Sequence, residues 1–320
     1  MNKAHWDVEP QRPAFSRALV ALGNTRKDVV VASADLSSSV GTLAFAQEFP
    51  ERHYNFGIAE QNMISACAGL ATTGKVVFAS SFAIFCTGRV YDQIRQSVCY
   101  PQLNVKIVAT HAGITVGGDG ATHQMIEDLA LMRALPNMTV VVPADAPETE
   151  KAILAAADYE GPVYIRLGRA NVPVCTTGKD CQNFEIGKAS LMRDGDDVTL
   201  VGTGIMVAKC LEAAEELAKH QVSARVINLS TIKPLDERLL VKAARETGCM
   251  VTAEEHSVVM GMGAAVALVL VENAHVPMKR VGIPDSFGES GEPEELMEKY
   301  GLTVDNIVDG AHDVIKRRGR

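Results

Sequence analysis

Glu60 is the residue best placed in the sequence to do acid–base chemistry. It lies in the stretch YNFGIAEQNMISACAG, residues 54–69, where a polar loop gives way to the small and apolar residues of a predicted helix. A carboxylate at such a junction faces an apolar interior on one side and an opening on the other, so it could share a proton with a bound ligand. A second interpretation stays open, because Glu60 and Gln61 could simply decorate the first helical turn, where negative charge suits the helix dipole.

The segment HAGITVGGDGATHQ, residues 111–124, predicts a ligand-binding loop. Its glycines let the backbone approach a ligand closely, while His111, Asp119 and His123 supply donors, acceptors and charge near neutral pH. A metal site would need a third clustered His or Cys, so a polar substrate is the favoured ligand and no metal ligand is assigned. The GDG triplet also matches the start of a diphosphate-binding GDG…N motif, but residues 143–148, PADAPE, lack the asparagine.

Three phenylalanines, Phe78, Phe82 and Phe85, stand out because aromatic residues make up only 5% of the chain. Phe82 and Phe85 are three residues apart and would share one face of a helix or turn. Such rings could belong to the apolar core or could form a stacking wall for a planar heterocycle.

Four residues could hold a phosphate group: Arg12, Ser39, His111 and Arg169. Arginine is the usual partner of phosphate oxygens, since its guanidinium offers several N–H donors and a permanent charge. Each residue taken alone could equally be a surface or structural residue.

A nicotinamide cofactor is disfavoured. The triplet GTG, residues 202–204, stands between a predicted strand and a predicted helix, as in a dinucleotide-binding fingerprint. Val207 occupies the place of the third glycine, and Asn228 rather than an acid ends the next strand. An incomplete glycine motif of this kind is weak evidence for dinucleotide binding.

The composition indicates a soluble cytoplasmic protein. Hydrophobic residues make up 47% of the 320 residues, and the net charge of -8 argues against a nucleic-acid surface. The N-terminal sequence lacks the apolar core of a signal peptide, and the longest apolar run, Met260–Val271, is too short for a membrane span of about 18 or more residues. The seven cysteines have no metal or redox spacing, and Cys67, Cys86 and Cys99 lie in apolar surroundings, so buried thiols are expected.

Apolar runs alternate with helical patterns and define the elements that must position these residues. The predicted strands are 28–36, 75–81, 104–110, 138–144, 162–168, 197–204, 223–230, 248–255 and 278–284. The predicted helices are 13–22, 88–98, 126–135, 146–157 and 207–220. This alternation predicts mostly parallel sheets flanked by helices, with function in loops beyond the carboxyl ends of the strands. The polar segment 172–183 separates two series, so two consecutive α/β domains are predicted, residues 1–180 and 181–320.

The motifs FGIAEQN, SSFAIF, HAGITVGGDGATHQ and IRLGRAN, in this order and spacing, resemble the C-terminal half of transketolase. The similarity runs from Pro13 to Pro284 and covers the pyrimidine-binding and C-terminal domains of that family. The domain that binds the diphosphate of thiamine diphosphate and its divalent metal, Mg²⁺ or another cation, has no counterpart in the sequence. The resemblance therefore implies the smaller subunit of a split transketolase, working with a separate diphosphate-binding subunit in an α2β2 assembly that self-associates through the pyrimidine-binding domain.

The resemblance also implies roles for individual residues. Glu60 is similar to the glutamate that hydrogen-bonds N1′ of the cofactor's aminopyrimidine from an apolar pocket. Phe85 resembles the ring that stacks on this pyrimidine, with Phe82 beside it, and Asp35 resembles an aspartate that contacts the cofactor. His123 and Asp119 resemble residues that meet the hydroxyls of the ketose. The residues that resemble the sugar-phosphate ligands are His111, Arg169, Arg12 and Ser39.

The implied reaction is transfer of a two-carbon ketol group from a ketose phosphate to an aldose phosphate. Gly88 departs from the family pattern, because a third aromatic residue near the pyrimidine would fall at this position. The aromatic wall against the pyrimidine is therefore either thinner here or completed by other residues. Rival interpretations are half of a 1-deoxyxylulose-5-phosphate synthase, a 2-oxo acid dehydrogenase β subunit and a non-catalytic partner. His111 and the sequence TIKPLD, residues 231–236, argue against the first, the GDGATHQ pattern against the second, and retention of the motif residues against the third.

Overall fold

Two α/β units follow one another in the computed structural model, which describes residues 6–178 and 183–318. Each unit contains a mostly parallel sheet flanked by helices, so the predicted fold class is confirmed. The predicted domain boundary between residues 180 and 181 lies outside the described residues and stays a prediction.

The elements of the first unit alternate strands with helices. In chain order they are β1 Val8–Pro10, α1 Gln11–Thr25, β2 Val29–Ser33, α2 Ser37–Val40, α3 Leu43–Glu48, a 3-10 turn Pro50–Arg52, β3 His53–Asn55, α4 Glu60–Ala71, β4 Val76–Phe82, α5 Ala83–Thr87, α6 Tyr91–Gln93, a π-helical segment Ile94–Cys99, β5 Val105–Thr110, a 3-10 segment Ile114–Asp119, α7 Asp128–Ala134, β6 Thr139–Val141, α8 Ala146–Asp158, β7 Val163–Arg166 and β8 Asn171–Pro173.

The second unit has the same alternation and ends in two helices. Its elements are β9 Ser190–Arg193, β10 Val198–Gly202, α9 Met206–Lys219, β11 Ala224–Asn228, β12 Thr231–Lys233, α10 Glu237–Thr247, β13 Met250–Ser257, α11 Met262–Asn273, β14 Met278–Ile283, α12 Pro293–Lys299 and α13 Val304–Arg317.

Within the described residues, seven strands form the first sheet in the order β12-β6-β7-β5-β4-β2-β3. All pairs are parallel except β12 with β6. The central strands are buried throughout, as their continuous apolar sequences require when helices cover both faces. β12 comes from the second unit, so the two units share a sheet edge that the sequence analysis did not anticipate.

Five strands form the second sheet within the described residues, in the order β14-β13-β10-β11-β9. β9 is antiparallel to β11, and the other pairs are parallel. Both β10 and β11 are fully buried, and α9 and α13 pack against this sheet. Three clusters of buried apolar side chains fill the space between these sheets and their helices, and two of them contain residues from both units.

The helical stretch predicted over residues 88–98 is present from Tyr91 to Cys99, so it begins three residues later than predicted and is mostly π-helical. α5 ends at Thr87, Gly88 follows it, and the chain resumes as the single turn α6 and then the π-helical segment. Glycine has the lowest helix propensity after proline, which favours a break at this position. The break leaves Gly88 and Arg89 exposed beside the end of β4.

The predicted burial of three thiols is confirmed. Cys67, Cys86 and Cys99 are all buried, and burial raises the pKa of the Cys67 and Cys99 thiols to about 12. Such thiols are poor nucleophiles, because the reactive form is the thiolate. Across residues 6–178 and 183–318, no helix is both long enough and apolar enough to cross a membrane.

Candidate active site

Glu60 begins α4 directly after the loop that follows β3, and its side chain is only 3% exposed. Arg89 covers it: the Arg89 Nη1 atom donates a hydrogen bond to Glu60 Oε2 over 3.2 Å. The same guanidinium lies over the Phe85 ring, with Cζ 4.2 Å from the ring centroid. Together with Phe82, these three residues form what we call the carboxylate site. Arg89 is a member that the sequence analysis did not identify.

Two phenylalanines and two histidines form a connected set of rings beside Glu60. Phe82 and Phe85 are stacked with centroids 6.0 Å apart, as their three-residue spacing suggested. His111 stacks on Phe82 at 3.8 Å, and His123 meets the edge of Phe85 at 5.6 Å. Phe78, by contrast, is fully buried in the core behind the sheet. The structure thus brings residues from β4, α5 and the loop 111–124 to one place.

The carboxylate site has the shape and chemistry to hold an aminopyrimidine. The Arg89 guanidinium is flat and carries N–H donors, and it fits between the Glu60 carboxylate and the Phe85 ring. An aminopyrimidine also stacks on an aromatic ring, and its ring nitrogen shares a hydrogen bond with a carboxyl group. The residues present therefore fit the pyrimidine end of thiamine diphosphate.

A group of cationic side chains adjoins these rings. His111 is buried, and its pKa is lowered to about 3 by burial and by Arg12, Arg169 and His123. The pKa of Arg12 is also lowered, by burial and then by the charge of Arg169. Among the described residues, neither arginine forms an ion pair with a carboxylate, and Arg12 Nε is buried without a hydrogen-bond partner. An unneutralised pair of arginines is a suitable environment for an anion.

The remaining predicted site residues lie at the margin of this cluster. Ser39 accepts a hydrogen bond from Arg12 Nη1 through its backbone carbonyl at 2.8 Å. Asp35 has a left-handed backbone, with φ of 59°, and its Oδ1 accepts from Asn55 Nδ2 at 3.2 Å. Asp119 is exposed at the end of the 3-10 segment of the loop. Their assigned contacts with cofactor and substrate stay predictions.

The loop 111–124 is held from the second unit, and we call it the clamped loop. Glu255 on β13 accepts a hydrogen bond from the Thr115 backbone N–H through Oε1 at 2.7 Å. Gly113 has a φ of +83°, and a Cβ there would lie 2.2 Å from the Glu255 carboxyl carbon, so only glycine fits. Gln124 Nε2 donates to the Glu289 carbonyl at 2.8 Å. The second unit therefore fixes the loop that carries His111 and His123.

Buried charges support the clamp. Arg166 Nε donates to Asp128 Oδ2 at 2.8 Å, and Arg166 Nη2 donates to the Glu255 carbonyl at the same distance. The Tyr164 hydroxyl also donates to Asp128 Oδ2, at 2.7 Å. Burial raises the pKa of Glu255, and the nearby charge of Arg166 opposes this. The sequence signal for this network was the charged triplet EEH, residues 254–256, inside a predicted strand, a position that charged residues rarely occupy without partners.

No cluster of three or more metal-ligating side chains occurs in the part of the chain that the structure describes. The site thus offers a carboxylate, aromatic faces and cationic groups to a ligand.

The comparisons with known proteins point to one family. The description "Transketolase, pyrimidine binding domain" matches residues 10–174, and "Transketolase, C-terminal domain" matches residues 187–307. The chain is 47% identical, over 96% of each chain, to a protein of Methanocaldococcus jannaschii named a transketolase C-terminal section. It is 43% identical, over 98% of this chain and 96% of the relative, to the 6-deoxy-6-sulfo-D-fructose transketolase subunit SqwH of a Clostridium species.

A solved structure leads to the same family. The structure named "Split gene transketolase, inactive beta4 tetramer" has a TM-score of 0.89 and 52% identity, and the match covers 96% of this chain and 98% of that chain. The chain therefore belongs to the transketolase family and consists of its pyrimidine-binding and C-terminal domains. Membership of this family implies the use of thiamine diphosphate.

Proposed function

We propose that this chain is the pyrimidine-side subunit of a split transketolase, which transfers a two-carbon ketol group from a ketose phosphate to an aldose phosphate. One observation carries the proposal: an unbroken series of contacts leads from the buried Glu60 carboxylate through Arg89 and Phe85 to His123, while Phe82 and His111 lead on to the cationic groups. This series supports a carboxylate and stacking wall for the cofactor at one end and an anion-binding group for the substrate at the other.

On the cofactor side, Glu60 would share a hydrogen bond with N1′ of the pyrimidine: the protonated carboxyl group would donate to N1′, and the carboxylate would accept once the proton has passed to that atom. Its place at the start of α4 holds it at the edge of the site, while the body of the helix anchors it in the core. Phe85 would stack on the pyrimidine, Phe82 would support Phe85, and Asp35 would contact the cofactor from the loop after β2. Thiamine diphosphate, when bound, supplies an electron sink for breaking the bond next to a carbonyl, which no side chain provides.

On the substrate side, Arg12 and Arg169 would bind the phosphate, with His111 as an uncharged donor and Ser39 beside them. His123 and Asp119 would meet the sugar hydroxyls. The clamped loop would keep His111 and His123 in register with the carboxylate site, since both residues lie in the segment that Glu255 holds. The name of the relative SqwH refers to a sulfonated sugar, so a sulfonate is the other head group that this cationic cluster could accept.

The diphosphate and a divalent cation, Mg²⁺ or another, would be held by a separate subunit. Support comes from the names of two relatives, a transketolase C-terminal section and a split gene transketolase described as an inactive tetramer of β subunits. We expect an α2β2 assembly in which copies of this chain meet through their pyrimidine-binding domains.

Reconstitution tests the proposal. A tagged form of the chain is used to capture its partner from the source cells, and the captured partner is identified by mass. The complex is then assayed with xylulose 5-phosphate and ribose 5-phosphate, with 6-deoxy-6-sulfo-D-fructose as a second donor. We expect ketol transfer that requires both chains, thiamine diphosphate and a divalent cation. Full activity of the isolated chain would contradict the split-subunit proposal.

The same complex separates the rival activities. A synthase of the 1-deoxyxylulose-5-phosphate type would consume pyruvate and glyceraldehyde 3-phosphate, and a 2-oxo acid dehydrogenase subunit would decarboxylate a 2-oxo acid. Turnover of pyruvate without ketol transfer would replace the proposal with one of these activities. A complex inactive with every donor would favour the non-catalytic partner.

A further inference from the structure

Arg89 occupies the space between the two groups that the proposed function assigns to the pyrimidine. Its Nη1 atom donates to Glu60 Oε2 over 3.2 Å, and its Cζ atom lies 4.2 Å from the centroid of the Phe85 ring. A flat cation that stacks on Phe85 and donates to Glu60 uses the same ring and the same carboxyl group that a stacked aminopyrimidine would use. The guanidinium and the pyrimidine would therefore compete for the same carboxyl group and ring.

Arg89 also shields Glu60. The Glu60 side chain is 3% exposed, whereas the Arg89 side chain above it is 48% exposed. Among the described residues, Arg89 forms the ion pair with Glu60, and burying a carboxylate without such a partner would be unfavourable. The arginine thus neutralises Glu60 while remaining in contact with solvent.

The backbone of Arg89 is fixed, whereas its side chain can rotate into solvent. The Gln61 Nε2 atom donates to the Arg89 carbonyl at 2.9 Å, which ties this position to the first turn of α4. The guanidinium contacts only Glu60 and Phe85 in the part of the chain that the structure describes. Rotation of the half-exposed side chain toward solvent would break those two contacts and leave the backbone in place.

We propose that Arg89 closes the pyrimidine site of the free chain and swings out when thiamine diphosphate binds, so that this residue sets the affinity for the cofactor. The inference rests on the proposed function, because it takes the pyrimidine as the ligand of Glu60 and Phe85. It adds that cofactor binding includes the cost of breaking the Arg89–Glu60 contact.

The test replaces Arg89 with methionine, which keeps an unbranched apolar stem and removes the charge and the N–H donors. Arg95, an exposed arginine in the π-helical segment, provides the matched control as Arg95→Met. Calorimetric titration of thiamine diphosphate with Mg²⁺ into the complex of each variant with the partner measures Kd directly. We expect Kd to fall about tenfold for Arg89→Met, since the half-exposed arginine no longer opposes binding through its ion pair and its cation–π contact. Arg95→Met should bind like the unaltered chain.

Thermal unfolding of the isolated chain gives a second readout that needs neither cofactor nor partner. Arg89→Met should lower the Tm when Glu60 is present, because the buried carboxylate loses its counter-charge. In a chain that already carries Glu60→Gln, the same replacement should leave the Tm nearly unchanged. Equal losses of Tm in both backgrounds would show that Arg89 does not neutralise Glu60 and would overturn the inference.

The binding results separate this inference from the proposed function. In one outcome, the unaltered complex binds the cofactor while Arg89→Met binds it equally well or more weakly. Arg89 then either contributes to cofactor binding or has no effect on it, and only its proposed role in closing the site is overturned. If the unaltered complex binds no thiamine diphosphate, the proposed function fails, and the inference fails with it.

Discussion

The two halves of the candidate site are held in different ways. The carboxylate site is kept together by one ion pair and one cation–π contact, both made by a side chain that is half exposed. The clamped loop is held by the hydrogen bond of the Thr115 N–H to Glu255, by that of the Gln124 side chain to the Glu289 carbonyl, and by a buried charge network beside β13. The first half is thus closed by a contact that a ligand can replace, whereas the second is already built.

This difference suggests that the two halves of the site have different roles in binding. The Arg89 contacts end at a half-exposed side chain, so a ligand that takes over the Glu60 carboxyl group can replace them. Buried hydrogen-bonded charges are costly to disturb, because removal of one partner leaves the other unpaired. We infer that the substrate-binding half is preorganised by the second unit, while the cofactor-binding half is completed when the cofactor and the partner arrive.

Replacing Glu60 tests the cofactor half and should have the largest effect. Glu60→Gln should lower turnover of the reconstituted complex by about 100-fold to 10,000-fold, the usual range for loss of a general acid or base. The fold should persist, as judged by circular dichroism. Glu215→Gln, at an exposed position of α9, is the control and should keep full turnover. Near-normal turnover of the Glu60 variant would remove the catalytic role of this residue.

Replacing Glu255 tests the clamp. Glu255→Ala removes the acceptor of the Thr115 N–H and a carboxylate near Arg166, so the free energy of unfolding should fall by about 3 kcal/mol. Chemical denaturation of the isolated chain measures this loss. Glu298→Ala, at an exposed position of α12, should cost less than about 0.5 kcal/mol. Similar losses for both variants would mean that the clamp adds no stability.

Replacing Arg169 tests the anion-binding group at the edge of the clamped loop. Arg169→Met should raise KM about tenfold for a phosphorylated ketose, since a charged hydrogen bond to the phosphate is lost. The unphosphorylated ketose is the internal control, and its KM should change much less. An equal rise in KM for both sugars would withdraw the phosphate assignment.

Near neutral pH, the titration of His111 should give the smallest effect. Its pKa of about 3 lies below the ordinary 6.5, so between these values the folded chain keeps His111 uncharged while the unfolded chain takes up a proton. The contribution of His111 to the free energy of unfolding is therefore complete above pH 6.5 and declines as pH falls, by at most about 1.4 kcal/mol per pH unit. His111→Gln should flatten this part of the stability curve. An unchanged slope would show that His111 titrates normally.

Much of the fold and part of the site could be predicted from local patterns. Apolar runs located the central strands, and the three-residue spacing of Phe82 and Phe85 predicted their contact. Local signals for α10 were also present, since Asp236 caps its start through a hydrogen bond to the Leu239 N–H and Gly248 ends it with a φ of 70°.

The remaining parts depend on contacts between distant segments. Arg89 meets Glu60 across 29 positions of sequence, and Glu255 meets Thr115 across 140. Strand β12 joins the first sheet from the second unit for the same reason. No periodicity encodes such pairs, because they arise only when packed elements bring separate loops together. Gly88 is the position at which the sequence departs from the aromatic pattern of the family. In the structure, the next residue, Arg89, places its guanidinium over the Phe85 ring.

We infer that this chain holds half of a cofactor site, which a second subunit completes. The most direct test is a calorimetric titration of thiamine diphosphate and Mg²⁺ into the isolated chain, the isolated partner and their mixture. We expect one cofactor to bind for each chain paired with its partner in the mixture, and we expect far weaker binding to either chain alone. Equally tight binding to the isolated chain, unaffected by Glu60→Ala, would contradict this inference.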